Sequence, residues 1–359
     1  MRLLKGETDL MYEKVETARS FAVNKNGFHE RTVDVVDICE VGNEVFQEEY
    51  VKSGVPCILR GVAESWPAYH QWKKSFFQNE LGHIPILYHH VSHDGHTLDW
   101  LKGLPQTSLS NFINRLDRGE AVKHFEVGHP YYDFFRKNPA LLEDVHIQDL
   151  AALLPPGRFL GLDRFDPKGW PFIPPDAPQL FMAGPNAVSS GHYDPDHSHT
   201  FHWCVWGIKT VKLFAFDEST KESMKAICKY NLFETLDDAT VAENPLLEEL
   251  DGWSTTLVPG DLLFIPSRMW HFFRYEETAM SFVARCRSFD DWTGYREFAE
   301  DEQFPLTTIP FYATLWRACE RNERTWTGQF LASQPRLAKL ITRLFLFLVR
   351  ILVRDPKKQ

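Results

Sequence analysis

The stretch Pro259-Gly260-Asp261-Leu262-Leu263-Phe264-Ile265-Pro266 reads as a tight turn, a short buried strand and a proline stop. Working outward from it, short apolar or alternating runs recur at Leu180-Phe181-Met182, Phe201 to Val205, Thr210 to Phe216, Ser254 to Val258 and Met280 to Ala284. Many short strands set apart by turn signals argue for a sandwich or barrel. Two segments interrupt the series. Residues 155–178 hold ten prolines or glycines and read as loop, and residues 217–250 are charged and helix-prone and read as an insertion.

Toward the front, Gly54-Val55-Pro56-Cys57-Ile58-Leu59-Arg60-Gly61 is a buried-strand candidate bounded by glycines, followed by a chain break at Trp66-Pro67-Ala68. Helical patterns fall at Val45 to Tyr50, around Trp72 to Leu81, at 108–118 and at 141–154, and again from 290 onward. In 108–118, Ser108 is placed to cap the helix, with Leu109, Phe112, Ile113 and Leu116 on one face. The expected fold is mainly β with helical additions at both ends. Its parts are an extension at 1–44, the main domain at 45–290, a helical region at 291–335 and a last helix at 336–359.

A chain of 359 residues with 43% hydrophobic content buries a sizeable core and excludes a disordered protein. Its net charge of −10 makes nucleic acid an unlikely partner, since that role calls for a basic footprint. The six cysteines form no C-x-x-C pair and read as reduced thiols, which makes a cytoplasmic or nuclear setting the default. Neither a signal peptide nor an ordinary transmembrane helix is expected.

Three features carry chemistry. In Gly191-His192-Tyr193-Asp194, residues i and i+2 of an extended chain point to one face, so His192 and Asp194 converge. The turn and strand at 259–266, continued by Ser267-Arg268-Met269-Trp270-His271, would return His271 to the same rim. Two histidines and a carboxylate on one face of an ion leave open positions and suit non-haem Fe(II). Lys209, in Gly207-Ile208-Lys209, would need an anion if aimed into a barrel, because a buried unpaired charge is costly. Each feature alone has a plainer reading: a chance His-x-Asp, a hydrogen-bonded loop histidine, a solvated strand lysine. His197, His199 and His202 stand near enough to be alternative ligands.

The ordered set of His192-Tyr193-Asp194, Gly207-Ile208-Lys209 and Pro259 to His271, with Gly54 to Gly61, Trp66-Pro67-Ala68 and Tyr131 to Asp144 ahead of it, resembles the JmjC-domain, cupin-fold Fe(II)- and 2-oxoglutarate-dependent oxygenases. The likeness runs from about Val45 to Ser288 and is nearest to the small hydroxylase-type members. It implies a double-stranded β-helix, or jelly roll, with His192, Asp194 and His271 as the iron ligands. It also implies that Lys209 grips the distal carboxylate of 2-oxoglutarate with help from the Ser189 hydroxyl. His202 falls near an asparagine position of the co-substrate pocket, Phe125 where some relatives carry a tyrosine, and Arg285 near where an asparagine often follows the last strand. The implied activity is hydroxylation of a protein side chain or a small molecule, with release of succinate and carbon dioxide; demethylation is disfavoured by the lack of a zinc-finger cysteine cluster. The alternative is a catalytically silent module of the same fold, and a third reading is a cupin enzyme using another metal.

A second signal lies in the tail. Residues 336–359 carry seven basic side chains against a single acid, Asp355. At about 100° per residue, Arg336, Lys339, Arg343, Arg350 and Arg354 share a sector of roughly 60° opposite a wide apolar face. Such a helix either lies on an anionic membrane surface, packs on its own domain, or joins two copies of the chain through 336–354.

Overall fold

A computed structural model describes residues 29–93, 95, 104–125, 134–154, 158–160, 178–194, 198–215, 245 and 251–288. The regions assigned to 291–335 and 336–359 lie outside these residues, as does 217–250 apart from Pro245. Among the described residues, no helix is long and apolar enough to cross a membrane.

In chain order the first strands are β1 (His29–Thr32), β2 (Asp34–Asp37), β3 (Cys57–Arg60), β4 (Pro85–Leu87), β5 (His89–His90), β6 (Gln106–Ser108), β7 (Val122–His124) and β8 (Arg158–Leu160). They are followed by β9 (Gln179–Ala183), β10 (Val188–His192), β11 (His199–Trp206), β12 (Lys209–Phe214), β13 (Asp251–Leu257), β14 (Leu262–Ile265), β15 (Trp270–Tyr275) and β16 (Ala279–Ser288). One sheet runs β1-β13-β12-β15-β10, and the larger one runs β2-β3-β14-β11-β16-β9-β7-β5, with β8 also on β16. From β9 to β16 the chain passes back and forth between the two sheets. That winding is the double-stranded β-helix expected from the sequence. The strands at the three chemistry-bearing motifs, β10, β12 and β15, are therefore neighbours in space although far apart in the chain.

Burial explains why these runs are so apolar. Ile58, Cys204 and Leu263 of the larger sheet pack against Val211, Leu213 and Phe273 of the smaller one. The opposite face of the larger sheet is covered by helices, which makes all eight residues of β11 buried. A strand covered on both faces has no reason to alternate. The helices are α1 (Ile38–Phe46), α2 (Pro67–Gln71), α3 (Lys74–Asn79), α4 (Leu109–Asp117), α5 (Phe134–Lys137) and α6 (Ile147–Ala152). Trp66 and Trp72 press on Trp203 of β11 at ring-centre distances of 5.5 and 5.8 Å. Their indole N–H groups donate to Asp149 and Asp144, both at 3.2 Å, so the polar ends of two buried rings are satisfied. In α4 the Ser108 hydroxyl accepts from the Asn111 N–H at 3.3 Å, and Leu109, Phe112, Ile113 and Leu116 are the buried face.

Some expectations need correction. Pro67 does not break the chain but opens α2 at its first turn, where a missing N–H leaves nothing unpaired. The loop read at 155–178 contains β8, which pairs with Cys286 to Ser288. The segment assigned to the extension at 1–44 includes β1 and β2, which pair in parallel with β13 and β3. Between β11 and β12 the chain must leave one sheet for the other at Gly207, whose φ of 77° and contact with the Thr278 carbonyl leave no space for a side chain. That turn delivers Lys209 to the first position of β12.

Candidate active site

His192 is the last residue of β10 and stands opposite His271, the second residue of β15. The register shifts between Ser189 and His192, an irregularity of the kind that re-aims side chains at barrel rims. Asp194 follows two residues later. One ligand atom from each of His192, Asp194 and His271 lies within 4.8 Å of the others. His192 is exposed at the mouth, whereas Asp194 and His271 are buried. The donor set is two imidazoles and one carboxylate converging from one side, which fits a divalent transition metal.

Both buried candidates are held in the form that binds a metal. His271 Nδ1 lies 3.0 Å from the Met269 carbonyl oxygen, so this nitrogen carries the proton and Nε2 keeps its lone pair. Burial, and then the neighbouring His192, push His271 down to about 4, which leaves it neutral at physiological pH. Burial alone would favour the protonated form of Asp194, but the Arg285 guanidinium outweighs it and holds the carboxyl well below the usual range. The Arg285 contact is a two-pronged ion pair: Nη2 donates to Oδ1 at 2.9 Å and Nε to Oδ2 at 3.1 Å. Thr200, opposite Arg285 on β11, donates to Oδ2 at 3.0 Å, and Arg285 Nη1 is anchored on Gln179 of β9 at 2.7 Å.

This arrangement has a measurable consequence. Arg285→Gln leaves Asp194 buried without its cation, and should cost the metal-free protein about 3–5 kcal/mol in a denaturant titration. Added Mn(II) should restore more stability to the variant than to the wild type, because the ion replaces the guanidinium as counter-charge. An unchanged midpoint in the metal-free variant would show that Arg285 does not neutralise Asp194.

Below the triad the interior faces of both sheets continue. His202 is buried on β11, stacked on Phe273 of β15 at 4.5 Å between ring centres. Burial and then Lys209 push it well below its usual range, so it stands as a neutral ring whose Nε2 has no hydrogen-bond partner. One step deeper, Lys209 is only 1% exposed. Its ammonium donates to the Ser281 hydroxyl at 2.7 Å and lies 4.2 Å from the centre of the Tyr275 ring. The hydroxyl beside Lys209 thus belongs to Ser281 on β16. Ser189, the position indicated by the family resemblance, sits on β10 opposite Phe273. The partners of Lys209 are neutral, and a buried cation so placed fits a ligand carboxylate. His199 is accounted for structurally: its Nδ1 accepts the Ser267 N–H at 3.0 Å and its ring stacks on Phe264. His197 lies outside the described residues. Among the side chains around the triad, nothing local in the sequence marks Arg285, Thr200, Gln179 or Ser281, because only cross-strand register brings them to the site.

Comparison with known proteins agrees with this fold. A family model described as a cupin-like domain matches residues 43–282. The chain is 25% identical over 256 residues to Jumonji C domain-containing protein 5 of Drosophila melanogaster, covering 66% of this chain and 56% of that protein. It is 26% identical over 249 residues to lysine-specific demethylase 8 of Danio rerio, covering 66% and 54%. Lysine-specific demethylase JMJ30 of Arabidopsis thaliana is 24% identical over 238 residues, covering 64% and 49%. The chain spans about half the length of the curated relatives it matches.

Proposed function

The chain belongs to the cupin-like, JmjC-type oxygenase family, and from that premise we propose that it is an Fe(II)- and 2-oxoglutarate-dependent dioxygenase. In this reading it hydroxylates a protein side chain or a small molecule and releases succinate and carbon dioxide. The observation that carries the reading is one continuous interior: three side chains at the rim that could hold a metal ion and, beneath them, a buried lysine with no acidic partner among the described residues. When bound, Fe(II) and 2-oxoglutarate would supply, with dioxygen as the oxidant, the oxidation of an unactivated C–H bond, one oxygen atom passing to the product and the other to succinate as carbon dioxide leaves.

The chain's own residues do the rest. His192, His271 and Asp194 would hold the ion from one side, a donor set that suits non-haem Fe(II). Arg285 and Thr200 keep the Asp194 carboxylate ionised and aimed. Lys209 takes the distal carboxylate of the co-substrate, and the flat pair His202 and Phe273 walls the path between rim and floor. Tyr275 and Phe273 keep that path dry, which strengthens the charge pairing at Lys209.

A second reading draws on the names of two relatives, both lysine-specific demethylases. Hydroxylation of an N-methyl carbon ends in loss of formaldehyde, so the same site serves either outcome. Incubation with Fe(II), 2-oxoglutarate and peptide or small-molecule libraries tests both. Succinate with a product heavier by one oxygen supports hydroxylation, and succinate with formaldehyde and a lost methyl supports demethylation. Metal binding without succinate from any library would favour the silent module.

A further inference from the structure

The barrel floor holds a second buried lysine. Lys123 is the middle residue of β7 and is only 7% exposed. Cross-strand register places it on the same interior face as the Lys209 site. Lys123 is opposite Ala183, Ala183 is opposite Ala279, and Ser281 lies two residues further along β16. Residues two apart on a strand share a face, so the Lys123 row is one pleat step, roughly 7 Å, beyond the hydroxyl that accepts from Lys209. Tyr275, beneath the Lys209 ammonium, packs in one cluster with Ala183, Ala187 and Ala279. With Val91, these apolar side chains line the step from one lysine to the other.

The Lys123 ammonium donates to the Val188 carbonyl at 2.9 Å and lies 4.9 Å from the centre of the Phe125 ring. An ammonium has three donors, and one carbonyl and a ring face do not use them all. Among the described residues no carboxylate pairs with either lysine. Burial pushes Lys123 down to about 8, and its charge contributes to the lowering at Lys209. Two buried like charges without an acid are a costly arrangement that an anion relieves.

We propose that Lys123 and Lys209 together form the far-end anion site of the pocket, and that Lys123 thereby selects a 2-oxo acid ending in a carboxylate. The proposal rests on the 2-oxoglutarate reading above. It is tested by calorimetric titration of the full chain, loaded with Mn(II), with 2-oxoglutarate and with 2-oxopentanoate, which lacks the distal carboxylate. Lys123→Met should weaken 2-oxoglutarate binding roughly ten- to a hundred-fold, as expected for loss of a charge-assisted hydrogen bond. Affinities for 2-oxopentanoate and for Mn(II) should stay unchanged, and Lys123→Gln should behave as Lys123→Met does. Both variants remove a buried charge, so a folded protein with an equal or higher melting temperature is expected. An unchanged 2-oxoglutarate affinity in the variants, or an equal loss for both acids, overturns the role of Lys123 and leaves the oxygenase reading standing. A wild-type protein that binds Mn(II) but neither acid overturns both together.

Discussion

Asp194→Ala is expected to weaken Fe(II) or Mn(II) binding more than about a hundred-fold and to abolish succinate release. Loss of a partner that only orients a ligand already costs ten- to a hundred-fold in typical metal sites, about that much or less than loss of a ligand itself. The carboxylate is also the only negative charge in the cluster, so its removal leaves two imidazoles and the nearby Arg285 facing a dication. Asp194→Ala also strands the Arg285 guanidinium, so Asp194→Asn is the better control for shape. It keeps an oxygen near Thr200 and Arg285 while removing the charge. His192→Ala should lose metal equally and keep the fold, because His192 is exposed at the rim and closes no core. Metal titration followed by paramagnetic resonance of Mn(II) measures all three variants. Full metal binding by His192→Ala together with its loss in His197→Ala would sink this ligand assignment.

How far the site was legible depended on sequence distance. His192 and Asp194 are two residues apart, and extended geometry alone puts them on one face. His271 could be joined to them only because a turn, strand and proline stop implied a return to the same rim; β15 pairs in register with β10 as that argument needs. Helix α4 was legible to its cap because the Ser108 signal and the apolar face are both local. Arg285 is different. It stands 91 residues from Asp194, and nothing near it in the chain signals an ion pair. Only the alignment of β16 with β11, Arg285 against Thr200, brings it over the carboxylate. Ser281 was missed for the same reason, since a serine between Met280 and Phe282 reads as filler in an apolar strand until Lys209 is seen to donate to it. Strand β8 was hidden by its setting among prolines and glycines, because pairing to the edge of β16 is a tertiary event. Composition could not have revealed it.

Lys209→Met should weaken 2-oxoglutarate binding by roughly ten- to a hundred-fold, the worth of a charge-assisted hydrogen bond in a buried site, while metal affinity stays as in the wild type. The pH dependence makes the assignment sharper. Burial pushes Lys209 from 10.5 down to about 7, with the Lys123 charge acting in the same direction. In the ligand-free protein, the folded lysine gives up its proton near pH 7 whereas the unfolded one keeps it to about 10.5. Between those values the unfolded state binds more protons, so this group makes stability rise with pH across that window. A bound carboxylate reverses the preference, since it stabilises the ammonium. Binding of 2-oxoglutarate above pH 7 must therefore draw in protons, and its affinity must fall as the pH rises toward 10.5. Calorimetry in buffers of different ionisation enthalpy measures that uptake directly. Lys209→Met should reduce the uptake at pH 8.5, leaving the share that belongs to Lys123, and should flatten the pH dependence of affinity. A variant with wild-type 2-oxoglutarate affinity and wild-type proton uptake would place the co-substrate's carboxylate away from Lys209.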